Sequence, residues 1–403
     1  MKGDMLSDSD KRQIRIVGYI LTFMATFSLG VTEIFAPWYA GVLGATQFEI
    51  GWAMGSFGIV YMFSPIIGGK FSDRIGRQKS LVGAMLSYVA ILAIYPLPFI
   101  IPLHLILIRA LEGFFFGLFY PTIEAMVSEL APESQGAVLG NFSTAWSAGM
   151  IMSPFVIAYM AVNYGNVTSI YVVIAVELIA LALVGTTVRD YVLDEALSEE
   201  EREQLAVIAD EDIPGDVRTS RRFIGASLAL MLFGFVSTVL IGLFPTYVEW
   251  LPGFTTEDFG NLLLVWNTTR TIGFLLCTRL PHKEMGSVML LGTLFLTIGM
   301  AILTFYVDFM LFAVAMILSG IGVGFSYLGG LYTVVSATKS EKGSFAGIGE
   351  SLAGIGFFIG PIVSGWFADF NMSWPYLVCM IVAVAVLILN IPLLRDYKKT
   401  HKE

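Results

Sequence analysis

Runs of apolar residues, each about 20 residues long, recur along the whole chain and limit what it can fold into. A helix of that length crosses a hydrocarbon core roughly 30 Å thick and satisfies its own backbone hydrogen bonds there. Hydrophobic residues make up 56% of the sequence and charged residues 14%, which is more apolar material than a water-soluble domain of this size can cover. The sequence therefore predicts an all-α membrane protein.

The breakers between these runs predict twelve transmembrane helices. The first half gives spans at 16–40, 48–69, 80–101, 103–127, 137–161 and 168–187. The second half gives spans at 223–245, 259–279, 287–306, 309–336, 344–368 and 374–394. We expect a six-helix bundle over 1–190, a polar cytoplasmic linker with a short surface helix over 191–222, and a second bundle over 223–403.

Positive charges give an independent orientation, because cytoplasmic loops of membrane proteins collect Lys and Arg. Of the 23 Lys and Arg residues, all except Arg109 and Arg270 lie in the termini, or within or at the edge of the loops after the second, sixth, eighth and tenth spans. The sequence therefore predicts a multi-pass protein of the cell membrane, with both termini cytoplasmic.

An internal repeat relates the two halves at a separation of 207 to 209 residues. The matched positions are Thr46, Glu49 and Gly51 with Thr255, Asp258 and Gly260, and Gly113, Gly117 and Tyr120 with Gly320, Gly324 and Tyr327. Halves with a shared orientation imply a pseudo-two-fold axis along the membrane normal, and such repeats hold substrate near the midplane at their interface. Duplication in a scaffold without transport is the alternative.

The loop after the second span carries Gly69, Asp73, Arg74, Gly76 and Arg77. It resembles the signature loop of the major facilitator superfamily (MFS), and the resemblance covers essentially the whole chain. In pattern the chain is most similar to prokaryotic drug:proton antiporter-like members.

The resemblance implies two pseudo-symmetric six-helix bundles and a cytoplasmic gate. Asp73 would contact the end of the eleventh helix, and Arg77 would contact an acid at the foot of the fourth, here Glu129. These contacts would latch the outward-open state. The family carries an Arg near Gln135, so this chain departs from its charge network there.

The eleventh span contains Gly347, Gly356, Gly360 and Pro361. This pattern resembles the glycine-proline motif that family antiporters carry in helix five. Small residues also let helices approach closely, so helix packing explains the same glycines without implying a direction of transport.

Charges inside the spans are the candidate functional residues, because a charge in the membrane is costly and usually faces a partner or cavity. Arg109 and Glu112 share a helical face that continues to Tyr120, as an ion pair or as a proton-coupling element. Arg270 follows Trp266 by one turn and could contact an anionic substrate. Tyr327 is a candidate cavity residue.

Glu33 in the first span is the leading candidate for a proton carrier, because helices one, four, seven and ten line the cavity in the family that the chain resembles. Glu350 in the eleventh span is the second candidate. Glu177 lies in the sixth span, which is peripheral in that family, and is interpreted as structural.

The sequence holds no nucleotide-binding loop, no metal-ligand motif and no nucleophile turn, so an enzyme is not expected. We expect a secondary transporter that moves a small organic solute by alternating access, with proton-coupled export favoured. An importer or facilitator of organic anions or sugars, and a membrane sensor, are the alternatives. No cofactor is expected beyond the proton as coupling ion. The expected partners are a small-molecule substrate and the bilayer, without nucleic acid, and the resemblance implies a monomer.

Overall fold

The structure, a computed structural model, describes residues 7–130, 135–188, 221–277, 280, 284–335 and 342–400. Thirteen α-helices and no strands occur in these ranges. The first seven are α1 Asp8–Val42, α2 Gln47–Tyr61, α3 Ser64–Ile75, α4 Arg77–Leu92, α5 Pro102–Glu129, α6 Gln135–Tyr164 and α7 Thr168–Thr187. The others are α8 Arg221–Trp250, α9 Thr256–Cys277, α10 Met285–Phe305, α11 Phe309–Val335, α12 Lys342–Ala368 and α13 Trp374–Thr400.

The helices follow the predicted spans with two exceptions. The predicted third span, 80–101, is helical only as far as Leu92, where α4 ends, because Pro96 and Pro98 follow and cannot continue the helix. The second span, 48–69, is divided into α2 and α3 around Met62 and Phe63, and Pro65 lies in the first turn of α3. Within the described ranges, nine helices are long and apolar enough to cross a membrane. The predicted all-α membrane fold is confirmed. The surface helix expected near Ser198 lies outside the described residues.

Contacts within the chain group it into two compact units. The first unit comprises Met1–Glu195 together with Phe244–Leu264, and the second comprises Ala196–Leu243 together with Val265–Glu403. In the first unit, the indole Nε1 of Trp38 donates a hydrogen bond of 2.9 Å to Oε2 of Glu249. Thr246 also donates to the side-chain oxygen of Gln47 at 3.3 Å. The end of α8 therefore packs with α1 and α2.

The repeat seen in the sequence has matching local structure. Thr46 begins α2 with a capping box, in which its backbone N–H donates to Glu49 Oε2 at 2.8 Å. At the start of α9, the backbone N–H of Thr255 likewise donates to Asp258 Oδ2 at 2.8 Å. Each cap satisfies backbone donors that a helix N-terminus leaves open.

Two glycines 207 residues apart, Gly149 and Gly356, also lie at close contacts between helices. A Cβ on Gly149 of α6 would lie 2.6 Å from the Phe23 carbonyl oxygen of α1, and a Cβ on Gly356 of α12 would overlap the Met231 carbonyl of α8. A Cβ on Gly360 would lie 2.8 Å from the Phe235 backbone. Backbone contact of this kind explains why small residues occupy these positions.

Candidate functional site: a buried charge cluster in the first unit

An ion pair within α5 forms the centre of the candidate site. Arg109 and Glu112 lie three residues apart on one helical face, and both side chains are fully buried. Nη1 of Arg109 pairs with Oε2 of Glu112. A buried pair of opposite charges avoids most of the cost that either charge would carry alone in a low-dielectric interior.

Two further helices complete the surroundings of the Arg109 guanidinium. Nη1 of Arg109 also donates to the Thr32 hydroxyl of α1 at 3.4 Å. The guanidinium carbon lies 4.6 Å from the centre of the Phe57 ring of α2. A cation over an aromatic face in a desolvated site is stabilised by about 2 kcal/mol. Helices α1, α2 and α5 therefore hold this arginine in one orientation.

The cluster keeps unused hydrogen-bonding capacity. Among the described residues, Nε and Nη2 of Arg109, Oε1 of Glu112 and the Tyr95 hydroxyl have no hydrogen-bond partner. The Tyr95 hydroxyl interacts electrostatically with Glu112, although no hydrogen bond of normal geometry joins them. A buried polar group without a partner costs about 1–3 kcal/mol. These donors and acceptors are therefore available to hydrogen-bond a group that enters the cluster.

Glu33 of α1 lies at the edge of the same cluster. Its side chain is partly exposed, and it interacts electrostatically with both Arg109 and Tyr120. Tyr120 is buried, with its ring centre 4.9 Å from that of Phe116. Of the residues singled out from the sequence, Arg109 and Glu112 thus form a pair, and Glu33 interacts electrostatically with Arg109 and with Tyr120.

The second unit contains a different arrangement. Arg270 of α9 is buried, and its guanidinium carbon lies 4.7 Å from the ring centre of Trp266, one turn earlier. Tyr327 of α11 packs against Phe233 at 4.5 Å and Phe274 at 5.8 Å, measured between ring centres. Tyr327 is therefore part of an aromatic cluster. The side chain of Glu350 and the surroundings of Gly347 lie outside the described part of the chain.

The loop between α3 and α4 turns at Gly76, whose φ of 98° is in the region that favours glycine. The next residue, Arg77, reaches Glu129 at the end of α5, with Nη2 to Oε1 at 2.5 Å and Nε to Oε2 at 3.4 Å. This is the contact expected from the resemblance, in the two-bond form typical of Arg and carboxylate. Gly69 and Arg74 lie on α3 near this loop, and the side chain of Asp73 is outside the described part of the chain.

Sequence reasoning missed Thr32, Phe57, Tyr88 and Tyr95 as neighbours of the cluster. Tyr88 of α4 lies 3.4 Å from the Thr32 hydroxyl, oxygen to oxygen. The only available signal was the pair of small polar residues Ser28 and Thr32, four apart in an apolar span. Such spacing indicates a shared helical face but does not indicate which helix it packs against.

Comparison with known proteins gives a consistent result. The family model of the Major Facilitator Superfamily matches residues 18–338 and 285–403. Multidrug resistance protein 2 of Bacillus subtilis is 24% identical, with 92% of each chain covered. An MFS-type transporter of Methanocaldococcus jannaschii is 22% identical, covering 87% of this chain and 90% of the relative. Multidrug resistance protein MdtG of a Rahnella strain is 30% identical over 155 residues, 37% of each chain.

Solved structures share the fold. The nucleoside transporter NupG has a TM-score of 0.74 at 16% identity, with 96% of this chain and 99% of that chain covered. A bacterial homolog of the human lysosomal transporter Spinster has a TM-score of 0.70 at 12% identity, with 97% of each chain covered. The relatives are transporters and not enzymes. This chain belongs to the Major Facilitator Superfamily and is a multi-pass membrane transporter of small molecules.

Proposed function

We propose that the protein is a proton-coupled exporter of small organic compounds that works by alternating access between its two halves. Two B. subtilis relatives named multidrug resistance proteins are matched over most of this chain, which supports export as the direction. The single observation that carries the coupling is one buried arginine that pairs with a buried acid, Glu112, and interacts electrostatically with a partly exposed acid, Glu33.

The charges of the cluster suggest how coupling works. With all three groups ionised, Glu33, Glu112 and Arg109 sum to one negative charge. Protonation of Glu33, the partly exposed acid, leaves the Arg109–Glu112 pair neutral as a whole. A proton on Glu33 and a cationic substrate near the cluster therefore neutralise the same charge. Exchange of one for the other is antiport, because the two occupants exclude each other.

Proteoliposomes with a trapped pH dye test the proposal. The protein is challenged with panels of organic cations, organic anions and sugars, and the pH change on substrate addition is recorded. Export by antiport predicts that substrate and protons move in opposite directions. Glu33→Gln should abolish the pH change, while Glu257→Gln, an exposed acid on α9, serves as the matched control and should leave it intact.

Import or facilitated diffusion of organic anions or sugars is the second candidate. The observation that favours it is Arg270 lying over Trp266, because a guanidinium beside an aromatic ring can contact both an anion and the apolar face of a sugar. Symport would move protons in the same direction as substrate. A facilitator would equilibrate labelled substrate with no pH change.

We also propose that the protein works as a monomer in the cell membrane, with both termini in the cytoplasm. Positive charge in the termini and even-numbered loops supports this orientation. Single cysteines near either end should react with a membrane-impermeant thiol reagent only after the membrane is opened. Labelling of these cysteines in intact cells would show that the termini lie outside the cell.

A further inference from the structure

A second buried carboxylate lies in the first unit, away from the Arg109–Glu112 pair. Glu177 of α7 is 1% exposed and interacts with the hydroxyl of Ser28 on α1, which is also fully buried. Neither Oε1 of Glu177 nor the Ser28 oxygen has a hydrogen bond of normal geometry to any described residue. The two groups therefore face each other with spare bonding capacity.

Among the described residues of the helices packed against α7, no lysine or arginine contributes to the electrostatic surroundings of this carboxylate. These helices are α1, α4 and α6. Tyr88 of α4 interacts electrostatically with Glu177. On α1, the acidic residue nearest to Ser28 in the sequence is Glu33. The sequence of α6 contains no acidic or basic residue. An ionised carboxylate without a cation in such a place costs several kcal/mol, so the neutral acid is the form that the packed helices accept.

Hydroxyl groups link this acid to the charge cluster. Tyr88, which interacts with Glu177, lies 3.4 Å from the Thr32 hydroxyl, and Thr32 accepts a hydrogen bond from Arg109. Ser28 and Thr32 lie one turn apart on α1. A movement of α1 would therefore change the surroundings of Glu177 and of Arg109 together.

We propose that Glu177 is a second proton-binding residue of the transport cycle, in addition to Glu33. The inference rests on the proposed proton-coupled function. While α1 packs on α7, Glu177 is a neutral carboxylic acid whose O–H donates to the Ser28 oxygen. When water reaches the contact between α1 and α7 during the cycle, the O–H bond ionises, the proton passes to water, and the carboxylate is hydrated. A proton from water returns to the carboxylate before water leaves again, so each cycle carries one additional proton.

Infrared difference spectroscopy of the purified full-length protein tests the protonation directly. The wild type should show a carbonyl stretch of a protonated carboxyl group that is missing from the spectrum of Glu177→Gln, whose side chain is nearly the same size. Ser28→Ala should shift that band, because the group loses its hydrogen-bond acceptor. Identical carboxyl bands in the wild type and Glu177→Gln would overturn the inference.

Proton counting in proteoliposomes tests the role in transport. Glu177→Gln should reduce the number of protons exchanged per substrate by one, and Glu177→Asp, which keeps a titratable group, should restore it. An unchanged proton number in Glu177→Gln would mean that the residue is structural, as its position in the sequence suggested. If the wild type itself moves no protons, the proposed function fails, and the infrared band still reports whether Glu177 is protonated.

Discussion

The two halves of the chain place an arginine over an aromatic ring at the same position of the repeat, but with different chemistry. Phe57 and Trp266 are 209 residues apart, and each lies under a guanidinium, at 4.6 Å and 4.7 Å. In the first half the arginine comes from α5 and pairs with Glu112. In the second half it comes from α9, the same helix as the tryptophan.

The residues at the repeat positions that correspond to the ion pair are uncharged. At a separation of 207 residues, Arg109 corresponds to Met316 and Glu112 to Ser319, and both counterparts are fully buried. The same helical framework therefore accommodates either a charged pair or an apolar residue beside a hydroxyl. A pair that the framework does not require for packing is a candidate for function, and the function that we propose for it is proton coupling.

Replacing the first-half pair by its second-half counterpart should give the largest effects. Arg109→Met alone leaves Glu112 as a buried charge without its cation and should destabilise the protein by roughly 3–5 kcal/mol. The double variant Arg109→Met with Glu112→Ser should recover most of this stability while losing proton coupling. Thermal melting in detergent and proton flux in proteoliposomes measure the two effects. A double variant that still couples protons would remove the pair from the mechanism.

The arginine of the second half should affect substrate more than protons. For an anionic or sugar substrate, Arg270→Leu removes a charged donor, a change that typically costs about 1.5–3 kcal/mol, or roughly 10- to 100-fold in apparent substrate affinity. Proton exchange per transported substrate should stay the same, and Arg270→Lys should be milder. Uptake kinetics at several substrate concentrations give the affinity. Loss of coupling at unchanged affinity would contradict the contrast between the two halves.

Glycines at the matched helix contacts should respond alike in both halves. Gly149→Ala and Gly356→Ala each push a methyl group against the backbone of the facing helix, and overpacking of this kind costs about 1–3 kcal/mol. Gly83→Ala on α4 is the control, because a Cβ there has no neighbour within 4 Å among the described residues. Melting temperatures of the three variants test whether the two helix contacts are equivalent. An unchanged melting temperature in Gly356→Ala would show that they are not.

The loop contact between Arg77 and Glu129 should contribute least to stability. The pair is partly exposed, with side-chain accessibilities of 15% and 21%, and pairs of this kind are worth about 1 kcal/mol or less. Arg77→Glu should slow transport by changing the balance between conformations, and adding Glu129→Arg should restore the pair and the rate. If the double variant does not regain the transport rate, Arg77 has a role other than pairing with Glu129.

Sequence could predict the features that depend on spacing within one helix. The Arg109–Glu112 pair at three residues and the Arg270–Trp266 stack at four both follow from helical geometry. The Arg77–Glu129 contact came from the family resemblance. Contacts between helices, such as Thr32 with Arg109 or Ser28 with Glu177, could not be predicted, because they depend on which faces pack. The break between α2 and α3 was also missed, since the apolar run continues through it.

Substrate accumulation driven by an imposed pH gradient tests the central account most directly. Proteoliposomes holding wild-type protein should accumulate an organic cation against its own gradient when protons flow the other way, and Glu257→Gln should behave the same. Glu33→Gln, which mimics the protonated acid, should bind the organic cation weakly and should not accumulate it. Accumulation by Glu33→Gln equal to that of the wild type, or no accumulation by the wild type, would contradict proton antiport through the charge cluster of the first half.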